Sequence, residues 1–315
     1  MSVSTHQLLS SGLVMVTGKG GTGKTTIAAG LAVLGAAMGR RTILCEVDNQ
    51  RSSLESIFHT TIGFTPKSVS RNLEVCNIDF NTALTTFVHN IVPIKRVVNK
   101  ITTNKVIKKF LDFTPGSREL VLMSHLNTLV KNYDLVVVDM PASGHAFSML
   151  DVIRSARGLF RSGPVLALAK NITKLLESQT ARLAFVVLPE EMVVNETLET
   201  MEKMNRYRLI GGDPVIFLNK SIPVTTNMNE RILLKELDEL DLSKSAKAYV
   251  NAGLWETKLE SASALSKRRL QESLGQDPIL VPATVGVLTP RETVKKIVGE
   301  LADSVGITEQ AINWP

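Results

Sequence analysis

Apolar runs rich in β-branched residues recur at 13–16, 42–47, 73–78, 135–139, 183–188, 215–218 and 279–281, and stretches of helical character separate them. Runs without polar alternation suit strands buried on both faces, which is what helices on either side of a parallel sheet impose. The pattern predicts an α/β fold with a doubly wound, mostly parallel sheet. Helix boundaries are marked by Gly39 after Met38, by Pro189-Glu190-Glu191 ahead of a run to Arg206, and by Trp255, Leu259, Ala262 and Leu265 on one helical face.

The first apolar run leads directly into GKGGTGKT, residues 18–25, and a helical run follows from Lys24 to Met38. This is G-x-x-x-x-G-K-[ST] in its strand, loop and helix context. Gly18, Gly20, Gly21 and Gly23 let backbone N–H groups, with those of Thr22 and Thr26, turn inward around phosphate oxygens, and the helix aims its positive end at them. Lys24 is expected on the β/γ-phosphates of a nucleoside triphosphate and the Thr25 hydroxyl on Mg²⁺. One such loop occurs and there is no internal repeat, so a two-site ATPase would need two chains.

Two carboxylates stand at the ends of later strands, Asp48 in VDNQRSS and Asp139 in VDMPASGH. In an open α/β sheet that position faces the ligand crevice. Asp139 is expected to hold Mg²⁺ through its water shell, and Asp48 to orient the attacking water. Two connections exceed the ~10–12 residues of a minimal crossover. The first reads as helices at 80–92, 94–111 and 117–131, broken at Pro115-Gly116, and the second as one helix before Pro164 and one after it. All 315 residues are expected to form a single P-loop ATPase domain, with insertions 80–131 and 145–181 making a helical layer on its nucleotide face.

The set KGGTGKTT, VDNQRSS, VDMPASGH, FVVLPEEMVVNETLE and FLNK resembles, in order and spacing, the ArsA family of arsenite-pump and tail-anchored-protein-targeting ATPases, over 14–287. It is most similar to the short bacterial members, whose switch II reads D-x-P-A-x-G-H. The resemblance implies a deviant P-loop NTPase of the SIMIBI class. It also implies that Lys19 is the signature lysine that reaches a dimer partner's nucleotide, that Asp48 opens switch I, and that residues 139–145, with Gly144, form switch II. Asn219 would contact adenine and Pro282 would lie beside it. Asp48 is followed by Asn49, Gln50 and Arg51 instead of the family's Pro-Ala-His, so the aspartate alone transfers. The C-x-x-C and the arsenite-binding cysteines are missing, which argues against arsenite transport.

The expected function is therefore an Mg-dependent ATPase acting as a nucleotide-switched dimer, with itself or with a related chain, that binds a protein client. A ParA/MinD-like positioning ATPase is the alternative, and the acidic, apolar residues 299–315 weigh against its basic membrane helix. Composition narrows this little further. No window approaches the ~18 apolar residues of a membrane span, and the first residues lack a signal peptide, so a cytoplasmic location is expected. Cys45 and Cys76 lie in predicted buried strands and support neither a zinc site nor a disulfide framework. The net charge of +6 suits a phosphate ligand without implying nucleic acid. Residues 93–111 carry Lys95, Arg96, Lys100, Lys105, Lys108 and Lys109 and no acid, a basic stretch that Arg154, Arg157 and Arg161 could extend and that is expected to meet an acidic partner or an anionic membrane.

Overall fold

The computed structural model describes residues 4–49, 51–91, 116–159, 164–284, 286–308, 310 and 312–314. The predicted helix at 94–111, with its row of basic residues, lies outside these. A short α1 (Thr5–Leu9) leads into β1 (Leu13–Gly18), the P-loop, α2 (Lys24–Ala37) and β2 (Thr42–Val47). One helical turn, α3 (Glu55–Phe58), precedes the hairpin of β3 (Lys67–Ser70) and β4 (Leu73–Ile78). Then come α4 (Phe80–Ile91), α5 (Ser117–Leu129), β5 (Leu135–Asp139), α6 (Ser143–Leu159), α7 (Pro164–Leu176) and β6 (Ala181–Val187). The chain continues through α8 (Glu191–Arg206), β7 (Val215–Ser221), α9 (Met228–Asp238), α10 (Lys244–Leu274), β8 (Ile279–Pro282) and α11 (Pro290–Ala302).

The strands form one eight-stranded sheet in the order β3-β4-β2-β5-β1-β6-β7-β8. Every pairing is parallel except the β3–β4 hairpin. Alternate residues of β1 serve opposite cores, Leu13 and Met15 on one face, Val14 and Val16 on the other. This is the period of two that a strand covered on both sides must show. The first core is closed by α4 to α8, so the described parts of both insertions form a continuous layer over one sheet face. The second is closed by α2 and α11, where apolar residues surround α2 on all sides. Gly35 lets α2 approach closely, since a Cβ there would lie 2.4 Å from Leu135 Cδ2.

The register aligns the ends that matter. Val16 pairs with Asp139, Asp139 with Glu46, and Gly18 with Val186, so the P-loop and the ends of β2 and β5 open at one edge. That is the crevice at a point where strand order reverses, with β1 followed outward by β5 on one side and by β6 on the other.

Two expectations change in detail. The stripe Trp255, Leu259, Leu265 does lie on a helix, α10, but Trp255 and Leu265 are 63% and 67% exposed, and α9 beside it has no buried residue. Arg154 is no free basic group. Its guanidinium pairs with Asp151 at 2.8 Å and lies over the Tyr207 ring at 4.7 Å. Arg161 and the side chain of Arg157 fall outside the described residues.

Candidate functional site

The loop between β1 and α2 is shaped by positions that exclude side chains. Gly18 runs against β6, where a Cβ would come within 2.3 Å of the Val186 carbonyl oxygen. Gly23, at φ 95, would place a Cβ 2.4 Å from Asn219 Nδ2. Gly20 and Gly21 face open space, and their backbone is what a ligand would meet. The loop is drawn closed on Lys19, whose carbonyl accepts from Thr22 Oγ1 at 2.9 Å and from Lys24 Nζ at 3.1 Å. Burial lowers the Lys24 pKa, against the pull of Asp139, so the ammonium is held where an anion would relieve it. Thr26 follows in the first turn of α2.

Thr25 donates its hydroxyl to Asp139 Oδ2 at 2.5 Å, across 114 residues of sequence. Asp139 Oδ1 is buried and has no hydrogen-bond partner among the described residues. Burial raises the Asp139 pKa to about 6. The Thr25 hydrogen bond opposes this, Glu46 adds to it, and Lys24 offsets part of it. A buried carboxylate with one oxygen unpaired, next to a hydroxyl, is a donor set suited to a hard cation that takes oxygen ligands. Mg²⁺ therefore fits the residues present.

Asp48 stands just past β2 with φ 57, a conformation uncommon for a residue with a side chain. Its N–H donates to the Ile78 carbonyl at 2.9 Å. Its carboxylate takes two donors from Arg118, Nε at 2.8 Å and Nη2, both on Oδ2. The loop that follows is anchored from below by Glu46, which is fully buried. Glu46 accepts from Asn49 Nδ2 at 3.1 Å, from the Ser53 N–H at 2.9 Å and from the Ser52 hydroxyl. Of the residues that depart from the family's switch I sequence, Asn49 thus helps satisfy a buried carboxylate.

Lys19 projects from the loop to Glu196 of α8, with Nζ 3.2 Å from Oε2 and both side chains roughly two-fifths exposed. The other Glu196 oxygen accepts from the buried Ser143 hydroxyl at 3.1 Å, at the start of α6. Gly144, next in that turn, faces open space. Asn219 is buried at the end of β7 and donates Nδ2 to the Thr22 carbonyl at 2.7 Å, while its Oδ1 accepts from the Lys220 N–H. Pro282 ends the neighbouring β8 opposite Ser221 and borders a groove of about 540 Å³ with Pro223, Leu280 and Lys267. The structure thus brings Lys19, Lys24, Thr25, Asp139 and Asn219 onto or against the P-loop. Glu46, Arg118 and Glu196 are additions to the residues expected from sequence.

The family model for anion-transporting ATPases matches residues 11–182. The ATPase BagA of Mycobacterium tuberculosis is 30% identical over 257 residues, covering 76% of this chain and 71% of that one. A putative arsenical pump-driving ATPase of Aquifex aeolicus is 29% identical over 145 residues, 44% of this chain and 48% of its own. The ATPase ASNA1 homolog 1 of Paramecium tetraurelia is 26% identical over 140 residues, 44% and 42% of the two. A complete P-loop on a mostly parallel sheet, matched over more than half the chain by that family model, places the protein in the ArsA family of anion-transporting ATPases, as an ATP hydrolase.

Proposed function

We propose that the chain is an Mg²⁺-dependent, nucleotide-switched ATPase that works as a dimer and passes its nucleotide state to a bound protein client. The observation that carries this is the junction of Thr25 and Asp139, where a buried carboxylate oxygen has no partner among the described residues beside a P-loop hydroxyl. Thr25 and Asp139 would hold Mg²⁺, which when bound supplies positive charge against the phosphates. Gly18 to Thr26 cradle the phosphates with backbone N–H groups, and Lys24 exchanges the Lys19 carbonyl for a phosphate oxygen. Asp48 orients the water, and Asn219 braces the loop while lying where a base contact can form. Lys19 acts in trans, on the partner chain's nucleotide.

Phosphoryl transfer asks of a protein mostly positioning and charge, and this site offers both. Dimerisation with a second copy or a related chain supplies the missing cation, Lys19. The α4–α7 layer, fixed to both switch segments, is the part that responds, and a client bound to it would be held in one nucleotide state and released in the other. No helix among the described residues is long and apolar enough to cross a membrane. We place the action in the cytoplasm.

Nucleotide binding and turnover test this directly. Lys24→Ala should abolish ATP binding by calorimetry. Asp48→Asn should bind ATP and turn over at least ~100-fold more slowly, and chelation of divalent cations should stop hydrolysis by the unmodified chain. Turnover by Asp48→Asn at the unmodified rate would remove Asp48 from the mechanism, and turnover in excess chelator would remove the cation.

A further inference from the structure

Arg118 is the first cation of α5, placed in the opening turn just after Gly116. A positive side chain opposes the helix dipole at this end, so its position needs another cause. The cause is on the far side of the contact. Its guanidinium donates twice to Asp48 Oδ2, with Nε at 2.8 Å, and lies 4.8 Å from the centre of the Phe80 ring. Phe80 is buried and opens α4. One arginine therefore joins the end of β2 to both described helices of the first insertion.

The same turn of α5 also touches the helix that follows Asp139. Gly116, at φ 87, packs so tightly on α6 that a Cβ would lie 2.3 Å from Val152 Cγ1. Asp48 is itself held in the left-handed region by two contacts, its N–H on the Ile78 carbonyl and its carboxylate on Arg118. A residue with a side chain stays there when its surroundings over-determine it.

We propose that Arg118 is a positioning residue for hydrolysis, holding Asp48 in its left-handed conformation and tying it to the start of α5, so that the first helical insertion follows the nucleotide site. Both guanidinium nitrogens use one carboxylate oxygen, which leaves Oδ1 to orient water. Loss of the arginine lets Asp48 relax and cuts the link to α5. The proposal rests on the role given to Asp48 above, and its test separates the two.

The experiment compares the full chain with Arg118→Ala, Arg118→Lys and Asp48→Asn, measuring kcat and KM for ATP and amide exchange across 117–129 with and without nucleotide. Arg118→Ala should lower kcat roughly ten- to a hundredfold with KM for ATP changed less than about threefold, because positioning is lost while the P-loop is untouched. Arg118→Lys keeps the charge and should recover part of kcat. In the unmodified chain nucleotide should change exchange in the first turns of α5, and in Arg118→Ala it should not. Unchanged kcat in Arg118→Ala beside an inactive Asp48→Asn would overturn this proposal and leave the role of Asp48 standing. An active Asp48→Asn would instead overturn the role of Asp48. Should Arg118→Ala fail to fold, Phe80→Leu removes the ring beneath the guanidinium and keeps the ion pair. A kcat lowered less, with KM held, supports the proposal, and an unchanged kcat in both Arg118→Lys and Phe80→Leu overturns it.

Discussion

Asp139 carries two opposed demands. Folding puts its carboxylate among apolar strand residues, where burial raises its pKa to about 6, while the proposed function needs it ionised beside a cation. Between the ordinary carboxylate range and pH 6 the folded chain holds this proton more tightly than the unfolded one. The free protein therefore loses stability from this group as pH rises through that window, and a cation bound as proposed would restore it. Asp139→Asn should stabilise the nucleotide-free chain by roughly 1–2 kcal/mol at pH 7 and abolish turnover, the exchange of stability for activity expected at a strained site. Thermal unfolding with an activity assay checks this, and a variant less stable than the unmodified chain would show that the carboxylate is not a burden. At this scale the sequence pointed to Lys24, Thr25 and Asp139, residues of fixed type at fixed places, and the structure brings the three together. The sequence was silent on Glu196 and Arg118, because each finds its partner on a different element, and on Glu46, whose donors come from the irregular loop after its strand. Arg118 did leave a signal, a cation in the first turn of a helix where the dipole disfavours one. Glu46 left another, a lone acid in the otherwise apolar strand run TILCEV.

Strands were legible because burial on both faces removes polar residues from them. The exception is β3, whose KSVS is polar and exposed at the sheet edge, and which nothing in its own pattern separates from a loop. Helices α9 and α11 begin with capping boxes, Asn227 with Glu230 and Thr289 with Glu292, a signal present in the sequence. The α10 stripe revealed a helix without revealing what it packs on, since period alone does not distinguish a buried face from an exposed one. What fixes α10 is polar. Glu260 is fully buried and receives the Thr225 and Thr226 N–H groups at 2.9 and 3.2 Å, both threonine hydroxyls, and Arg231 at 2.8 Å. Burial alone would raise its pKa, but the donors of Thr226 and Thr225 prevail and hold it at about 2. A depressed carboxylate contributes stability that is present above its unfolded pKa of ~4.3 and is lost as pH falls towards 2. Glu260→Ala removes the acceptor of Arg231 Nη2 and of four Thr225 and Thr226 donors and should cost roughly 1–3 kcal/mol at pH 7. Urea unfolding at pH 7 and pH 3 should show that deficit shrinking in acid, and an equal deficit at both would deny the carboxylate its role.

For the molecule as a whole, the proposed dimer turns on Lys19 and on what it costs to release it from its own chain. Lys19 rests on Glu196, 3.2 Å away and partly exposed, and an exposed pair of this kind contributes at most about 1 kcal/mol. Releasing Lys19 to a partner is therefore cheap, whereas a cation placed in trans on a transferring phosphoryl group can be worth ~10³ or more in rate. The two variants should separate accordingly. Glu196→Gln should shift the protein concentration at half-maximal turnover by no more than about fivefold, while Lys19→Ala should bind ATP and lose turnover ~10³-fold. Mixing two inactive chains makes the test sharper. In a mixed dimer of Lys19→Ala and Asp48→Asn, the site on the Lys19→Ala chain keeps its own Asp48 and receives an intact Lys19 from the other chain. An equal mixture that exchanges freely should therefore recover roughly a quarter of the unmodified activity, since half of the dimers are mixed and each has one complete site. Turnover per chain that ignores protein concentration, together with no recovery on mixing, would assign Lys19 to its own chain and end the case for a homodimer.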